Sequence, residues 1–147
     1  MHCNIGRTFI QPGQANREAS VRLKLNALRS TIAGKRVVVI DDSIVRGTTS
    51  SQLVKLLRDA GAKEVHMLSS APMFIAPCYF GTDIPSKSEL FACNHNPEEM
   101  RRLIGADSLG FLSVENLKKI APDCGCGFCD GCFTENYPIP MENGGED

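Results

Sequence analysis

One stretch decides the fold: Arg36-Val37-Val38-Val39-Ile40-Asp41-Asp42-Ser43-Ile44-Val45-Arg46-Gly47-Thr48-Thr49-Ser50. It begins with a run of β-branched residues without polar alternation, which is typical of a strand buried on both faces of a parallel sheet. The acids Asp41 and Asp42 follow at the carboxyl end of that strand. Hydroxyl residues and Gly47 then lead toward a helix, so the stretch predicts a strand, a loop and a helix start.

The residues that follow extend this unit into an α/β fold. Ser51 to Ala60 predicts a helix, because Leu53, Val54, Leu56 and Leu57 form an apolar stripe and Gly61 comes directly afterwards. Glu64 to Ser70 predicts the next strand. A strand, a helix and a strand in this order predict parallel pairing with a right-handed crossover.

The rest of the chain carries weaker signals. Residues 16–32 have apolar residues at helical spacing among basic ones, which predicts an amphipathic helix or an ordered basic loop. Ser86, with Glu89 three residues later, predicts a helix N-cap. Three more elements are predicted from caps and apolar spacing: a helix over Pro97–Ile104, a strand over Leu109–Leu112, and a helix from its cap at Ser113 to Ile120.

Composition and charge exclude several classes of protein. The chain has 147 residues, of which 42% are hydrophobic and 22% are charged, and its net charge is -1. These values suit one globular domain and give no long-range field that favours nucleic acid or an acidic membrane surface. Neither a membrane span nor a signal peptide can be recognised. The sequence therefore predicts a cytoplasmic protein without nucleic-acid or membrane partners.

The loop after the two acids is suited to an anion. A loop that runs into a helix N-terminus presents free backbone N–H groups. Thr48, Thr49 and Ser50 add hydroxyl donors, and Gly47 lets the backbone approach a ligand closely. The G-x-x-x-x-G-K-[ST] pattern is absent, so the sequence predicts a phosphate cradle other than a P-loop.

The two acids need a different role, because carboxylates repel phosphate. Asp41 and Asp42 suit the neighbouring hydroxyls of a ribose, and they also suit Mg²⁺ beside a pyrophosphate. For the acids alone, a capped turn in which Asp42 or Ser43 satisfies backbone donors is the alternative. The order of acids and phosphate loop predicts a ribose followed by its 5′-phosphate.

The string from Val38 to Ser50 resembles the signature of the type I phosphoribosyltransferases, and Asp41 to Ser50 resembles the amidophosphoribosyltransferase family in particular. Other segments resemble the same family: Gly6–Pro12, Val21–Asn26, Gly81–Asp83, Ile104–Leu109, and Cys132–Thr134 with Tyr137 and Pro138. The resemblance covers nearly the whole chain. It implies a partial type I phosphoribosyltransferase fold, α/β with a mostly parallel sheet flanked by helices, and a Cys-rich C-terminal tail.

The resemblance implies a glycosyltransferase that forms 5-phosphoribosylamine from phosphoribosyl pyrophosphate and ammonia, in the first step of purine synthesis. In this family a separate glutaminase domain releases the ammonia from glutamine. Mg²⁺ is the implied cofactor and purine nucleotides are the implied inhibitors. The parent enzyme is expected to be a homo-oligomer.

Roles for single residues follow from the same resemblance. Asp41 and Asp42 match the acids that hold the ribose hydroxyls and Mg²⁺, and together with Arg7 they form the implied catalytic set. The implied 5′-phosphate loop consists of Ser43, Ile44, Val45, Arg46, Gly47, Thr48 and Thr49. Arg7, Phe9 and Ile10 match residues of a flexible loop that closes over the substrate and helps to line the ammonia path. Leu109 matches another position of that path. Three basic residues would suit binding of the pyrophosphate: Arg17, Arg22 and Lys24. The alternative interpretation is that they form the solvated face of a helix.

The cysteines form a second candidate site. The chain has seven, and four lie within nine residues: Cys124, Cys126, Cys129 and Cys132. This spacing indicates a Zn²⁺ or iron–sulfur site rather than disulfides in a reducing compartment. The resemblance favours a [4Fe–4S] cluster with ligands Cys78, Cys129 and Cys132. The family's fourth ligand has no counterpart, so we expect an incomplete cluster, with Cys126, Cys124 or Cys93 as candidate substitutes. For Cys93 a small buried residue is the preferred interpretation.

The expected organisation is a C-terminal portion of a phosphoribosyltransferase domain over residues 1–120 and a Cys-rich tail over residues 121–147. The glutaminase domain and the first half of the core are expected to be absent. The chain is therefore expected to be a fragment or part of a split protein, without glutamine-dependent activity alone. A ligand-binding regulatory module and a metal-binding structural protein are the alternatives.

Overall fold

The computed structural model describes residues 29–81, 86–120 and 127–140. Its centre is a three-stranded sheet in which both neighbouring pairs are parallel, in the order β1-β2-β3. The strands are β1 over Arg36–Asp41, β2 over Glu64–Ser69 and β3 over Ser108–Phe111. The predicted α/β fold with a parallel sheet is confirmed.

Five short or medium helices accompany the sheet in this part of the chain. They are α1 over Thr48–Asp59, α2 over Phe91–Asn94, α3 over Pro97–Ile104, α4 over Val114–Leu117 and α5 over Gly131–Thr134. A 3-10 turn over Lys87–Glu89 precedes α2. Residues 29–32 are also helical, which agrees with the helix rather than the ordered basic loop as the interpretation of residues 16–32 at their end; residues 16–28 lie outside the described part of the chain.

Helix α3 shows how local sequence fixes an element. The Asn96 side chain accepts hydrogen bonds from the N–H groups of Glu98 and Glu99, and the Glu99 carboxylate accepts one from the N–H of Asn96. Pro97 occupies the first helical position, where no N–H is needed. Gly105 ends the helix with a φ of 82°. The predicted bounds of this helix are confirmed.

Two groups of apolar side chains hold the elements together. The first core cluster joins α1, β2 and α3 through its buried members Val54, Leu57, Val65, Met67 and Ile104. The second core cluster is Phe74 and Leu90, against which pack the partly buried Val45, Ala71, Cys78, Cys132 and Phe133. The second cluster therefore connects the loop after β1 to the cysteine-bearing tail.

Strand β1 is covered on only one face by the described part of the chain. Val37 and Val39 pack against the first core cluster, whereas Val38 and Ile40 on the opposite face are 59% and 72% exposed. Leu68 pairs with Ile40 in register and is 42% exposed on the same face. The prediction that this strand is buried on both faces is therefore wrong here, because α1 and α3 pack on the same side of the sheet.

Two local predictions also need correction. Ser86 occupies the N-cap position as predicted, but of a 3-10 turn, and its side chain makes no capping hydrogen bond; its hydroxyl lies 3.0 Å from that of Ser88. Ser113 does cap α4, since its Oγ accepts a hydrogen bond from the N–H of Asn116, but α4 ends at Leu117 rather than at Ile120. Helix α5 in the tail was not predicted. No helix of the described residues is long and apolar enough to cross a membrane.

Candidate anion-binding site

Asp41 and Asp42 lie at the carboxyl end of β1, as predicted. The Oδ1 atom of Asp41 accepts a hydrogen bond from the N–H of Asp42 at 3.0 Å. The Oδ1 atom of Asp42 accepts one from the Ser43 hydroxyl, also at 3.0 Å. Across residues 29–81, 86–120 and 127–140, neither carboxylate forms a salt bridge. Both therefore retain acceptor oxygens for a ligand.

Ser70 fixes the peptide groups that carry the two acids. It follows β2, whose last residue pairs with Asp41 in register. The Ser70 N–H donates to the Asp41 carbonyl at 2.9 Å, and its hydroxyl lies 3.1 Å and 3.3 Å from the carbonyls of Asp41 and Asp42. Sequence reasoning missed Ser70, although its place just beyond the carboxyl end of a parallel strand was a usable signal.

The acids, the loop after them and the start of α1 line an open cavity of about 280 Å³, formed by the residues from Asp41 to Ser50. Gly47 is the N-cap of α1 and has a φ of 75°, and no side chain caps the helix. The first intrahelical bond runs from the N–H of Ser51 to the Gly47 carbonyl at 2.9 Å. The preceding N–H groups have no acceptor in the helical ladder, so within the described part of the chain the helix leaves them available to an anion.

Two residues distant in sequence contact this loop. The N–H of Phe91 donates to the Val45 carbonyl at 2.9 Å, and the Phe91 ring lies directly against Gly47. The carboxylate of Glu89 accepts hydrogen bonds from the Arg46 guanidinium, with Nε at 2.8 Å. Glu89 and Phe91 were missed as site residues, because no local sequence pattern indicates a contact across more than forty positions.

Three predicted metal ligands, Cys129 and Cys132 of the tail and Cys78 from the segment after β2, share one neighbourhood. Cys78 and Cys132 pack against the second core cluster. Burial raises the pKa of the Cys132 thiol to about 11, and the nearby thiols of Cys78 and Cys129 add to the rise. However, no three Cys, His, Asp or Glu side chains in the described ranges are arranged to hold a metal ion. The described thiols therefore do not by themselves form a ready-made metal site.

The remaining predicted site residues are separated from the loop or cannot be placed. Leu109 lies in β3 and packs against the first core cluster. Cys93 is exposed and its Sγ lies 3.3 Å from the Ile75 carbonyl, so the prediction that it is buried is wrong. The following residues lie outside the described part of the chain: Arg7, Phe9, Ile10, Arg17, Arg22, Lys24, Cys124 and Cys126.

Comparison with known proteins gives one consistent result. No protein-family model matches the chain. It is 51% identical over 140 residues to the chloroplastic amidophosphoribosyltransferase of Vigna aconitifolia, and the alignment covers 95% of this chain and 29% of the relative. It is 54% identical over 141 residues to the amidophosphoribosyltransferase of Bacillus subtilis, covering 93% of this chain and 30% of the relative. The chain is 53% identical over 139 residues to the amidophosphoribosyltransferase of Archaeoglobus fulgidus, and the alignment covers 93% of this chain and 30% of the relative.

A solved structure agrees with these relatives. The chain superposes on the glutamine phosphoribosylpyrophosphate amidotransferase of B. subtilis, complexed with ADP and GMP, with a TM-score of 0.74 and 47% identity. The match covers 97% of this chain and 32% of that one, in its C-terminal part. The resemblance inferred from the motifs is confirmed. The chain spans about a third or less of the length of the relatives that it matches.

Proposed function

We propose that this chain, which resembles the C-terminal part of the amidophosphoribosyltransferases over almost its whole length, binds the ribose 5-phosphate portion of phosphoribosyl pyrophosphate. The observation that carries the proposal is the cavity of about 280 Å³ whose lining runs from two carboxylates to the uncapped N-terminus of α1. One end of this cavity offers acceptors for hydroxyls, and the other offers donors for phosphate.

In the proposed reaction, ammonia from a glutaminase domain displaces pyrophosphate at ribose C1 and yields 5-phosphoribosylamine for purine synthesis. The carboxylates of Asp41 and Asp42 hold the ribose hydroxyls. The backbone N–H groups and hydroxyls from Ser43 to Thr49 hold the 5′-phosphate. Catalysis by these residues is positioning: they fix the sugar at both ends, so that C1 is presented in one orientation to the nucleophile.

Magnesium is the proposed cofactor. The acceptor oxygens of Asp41 and Asp42 are hard ligands and form no salt bridge within the described ranges, so the donor set suits this ion. When bound, Mg²⁺ would supply charge neutralisation to the departing pyrophosphate. Arg7 is proposed to act on the same substrate from a part of the chain outside the described residues.

For the cysteines we propose an incomplete [4Fe–4S] ligand set of Cys78, Cys129 and Cys132, with Zn²⁺ as the alternative metal. The shared neighbourhood of the three thiols supports this set. Metal analysis of protein purified without oxygen tests the proposal. Four irons per chain would contradict it.

Purine nucleotides are the proposed inhibitors, because a nucleoside monophosphate carries the same ribose 5-phosphate unit as the substrate. The B. subtilis relative has been solved in complex with ADP and GMP. We further propose that residues 1–120 and 121–147 form a phosphoribosyltransferase portion and a tail, in a cytoplasmic enzyme that is a homo-oligomer when complete.

Calorimetric titration of the 147-residue chain with ribose 5-phosphate and with phosphoribosyl pyrophosphate tests the proposed binding. Asp41→Asn and Asp42→Asn should each weaken binding roughly tenfold to a hundredfold, because a hydrogen bond to a charged group contributes about 1.5–3 kcal/mol. The matched control is Asp59→Asn, which changes an exposed acid at the end of α1. Equal affinities for all three variants, or no binding by the unchanged chain, would refute the proposal.

A further inference from the structure

The anion loop, defined as residues 43–50, is supported from outside by the segment of residues 87–91. An ideal Cβ atom at Gly47 would lie 2.6 Å from Cε1 and 2.8 Å from Cδ1 of Phe91, so the ring occupies the space beside this glycine. The Phe91 N–H is bonded to the Val45 carbonyl at 2.9 Å. Phe91 also packs against the first core cluster. The ring is therefore held between the core and the left-handed turn of the loop.

The charge of Arg46 is already matched within the fold. Its Nε and Nη2 atoms lie 2.8 Å and 2.5 Å from the same Oε2 atom of Glu89. An arginine so engaged is not the natural first donor to a phosphate. The remaining donors of the loop are backbone N–H groups and hydroxyls, and these point at one place only while the loop keeps its shape.

We propose that Glu89 and Phe91 are positioning residues of the anion loop. Phe91 fixes the turn at Gly47, from which α1 starts, and Glu89 holds the Arg46 side chain to the 87–91 segment. Their effect on ligand affinity rests on the proposed function, namely that the loop binds a sugar 5′-phosphate. Their effect on the shape of the loop does not depend on any ligand.

Two measurements on the 147-residue chain separate these effects. The first is the backbone amide chemical shifts of Gly47, Thr48 and Thr49 in the ligand-free protein. The second is the affinity for ribose 5-phosphate by calorimetry. Phe91→Ala should move the three amide signals and weaken binding on the order of tenfold, since small misplacements of binding groups are costly. Phe91→Leu should change both the amide signals and the affinity less than Phe91→Ala does.

The matched control for Phe91 is Phe111→Ala, which removes another partly buried phenylalanine that packs against the first core cluster. It should lower stability but leave the loop signals and the affinity of the folded protein unchanged. Identical effects of Phe111→Ala and Phe91→Ala on loop signals and affinity would overturn the assignment of Phe91, because they would show a general loss of packing.

For Glu89, the test variant is Glu89→Gln and the conservative variant is Glu89→Asp. We expect Glu89→Gln to weaken binding roughly twofold to fivefold, the range of an exposed ion pair, and Glu89→Asp to restore part of it. Glu115→Gln, which breaks the exposed pair of Glu115 with Lys119 at 2.8 Å, is the control and should have no effect. Tighter binding by Glu89→Gln would overturn the assignment, because a released Arg46 would then be the phosphate ligand.

Failure of the proposed function gives a different result. If the unchanged chain binds no ribose 5-phosphate, the proposed function fails, and the amide signals still decide whether residues 87–91 set the loop. If the chain binds but none of the Glu89 and Phe91 variants alters the loop signals or the affinity, the positioning assignment fails and the proposed function stands.

Discussion

Substitution of Gly47 by alanine tests the description of the anion loop most directly. Gly47 has a φ of 75°, and a Cβ atom there would lie 2.6 Å from the Phe91 ring, about 1 Å inside normal carbon–carbon contact. The left-handed backbone should cost about 1–2 kcal/mol for alanine. The steric overlap should add about 1–3 kcal/mol, because the ring is held against the core and cannot simply withdraw.

Gly34 provides a matched control for this substitution. Its φ is 74°, and among the described residues beyond its two chain neighbours no atom lies within 4 Å of the position of its Cβ. Gly34→Ala should therefore cost only the backbone contribution of about 1–2 kcal/mol. The entropy that alanine removes from the unfolded chain is the same at both positions, so it cancels in the comparison.

Urea unfolding followed by circular dichroism measures both variants. Gly47→Ala should be less stable than Gly34→Ala by about 1–3 kcal/mol. In a Phe91→Ala background the additional cost of Gly47→Ala should disappear, because the overlapping ring is gone. Equal costs at Gly34 and Gly47, or an additional cost that persists without the ring, would refute the described contact between Gly47 and Phe91.

Three further predictions concern other parts of the molecule. The N–H of Val65, and then Arg58, lower the pKa of Asp107 below its usual value. The stabilisation from Asp107 should therefore be full at neutral pH and lost as the pH falls below about 4. The gap in unfolding midpoint between the unchanged chain and Asp107→Asn should close over that range, and a gap independent of pH would contradict this. Because the pKa of Cys132 is raised to about 11, only about one Cys132 thiol in a thousand is ionised at pH 8. Metal-free protein should therefore be alkylated at the exposed Cys93 well before Cys132, which mass spectrometry would show. Ile40→Lys should change the free energy of unfolding by less than about 0.5 kcal/mol, since Ile40 is 72% exposed; a loss of several kcal/mol would show that this face is covered.

The sequence predicts local features of this fold well. The run of β-branched residues before Asp41 gives β1, and Asn96, Pro97 and Gly105 mark the bounds of α3, because caps and backbone preferences act over a few residues. The position of the two acids at a strand end follows from the same local reasoning. These predictions need no knowledge of which elements pack together.

The failures come from tertiary structure. Glu89 has the spacing of a capping residue, but its carboxylate binds Arg46 from a different segment, so a distant cation competes with the local backbone. The open face of β1 was predicted to be buried, because a β-branched run reports the preference of a strand and not the placement of its neighbours. Ser70 and Phe91 contribute to the site through partners that are remote in sequence.

The contacts of the loop with residues 87–91 also bear on how the protein folds. The pair of Arg46 and Glu89 joins positions 43 residues apart, whereas β1, α1 and β2 are consecutive and can form together from nearby chain. Closing a long loop loses chain entropy before the contacts that compensate for it can form. Contacts between distant positions therefore tend to form late in folding. The unit of β1, α1 and β2 and the proposed competence to bind an anion should therefore arise as separate kinetic events, with the candidate site completed after the two strands and the helix that carry it.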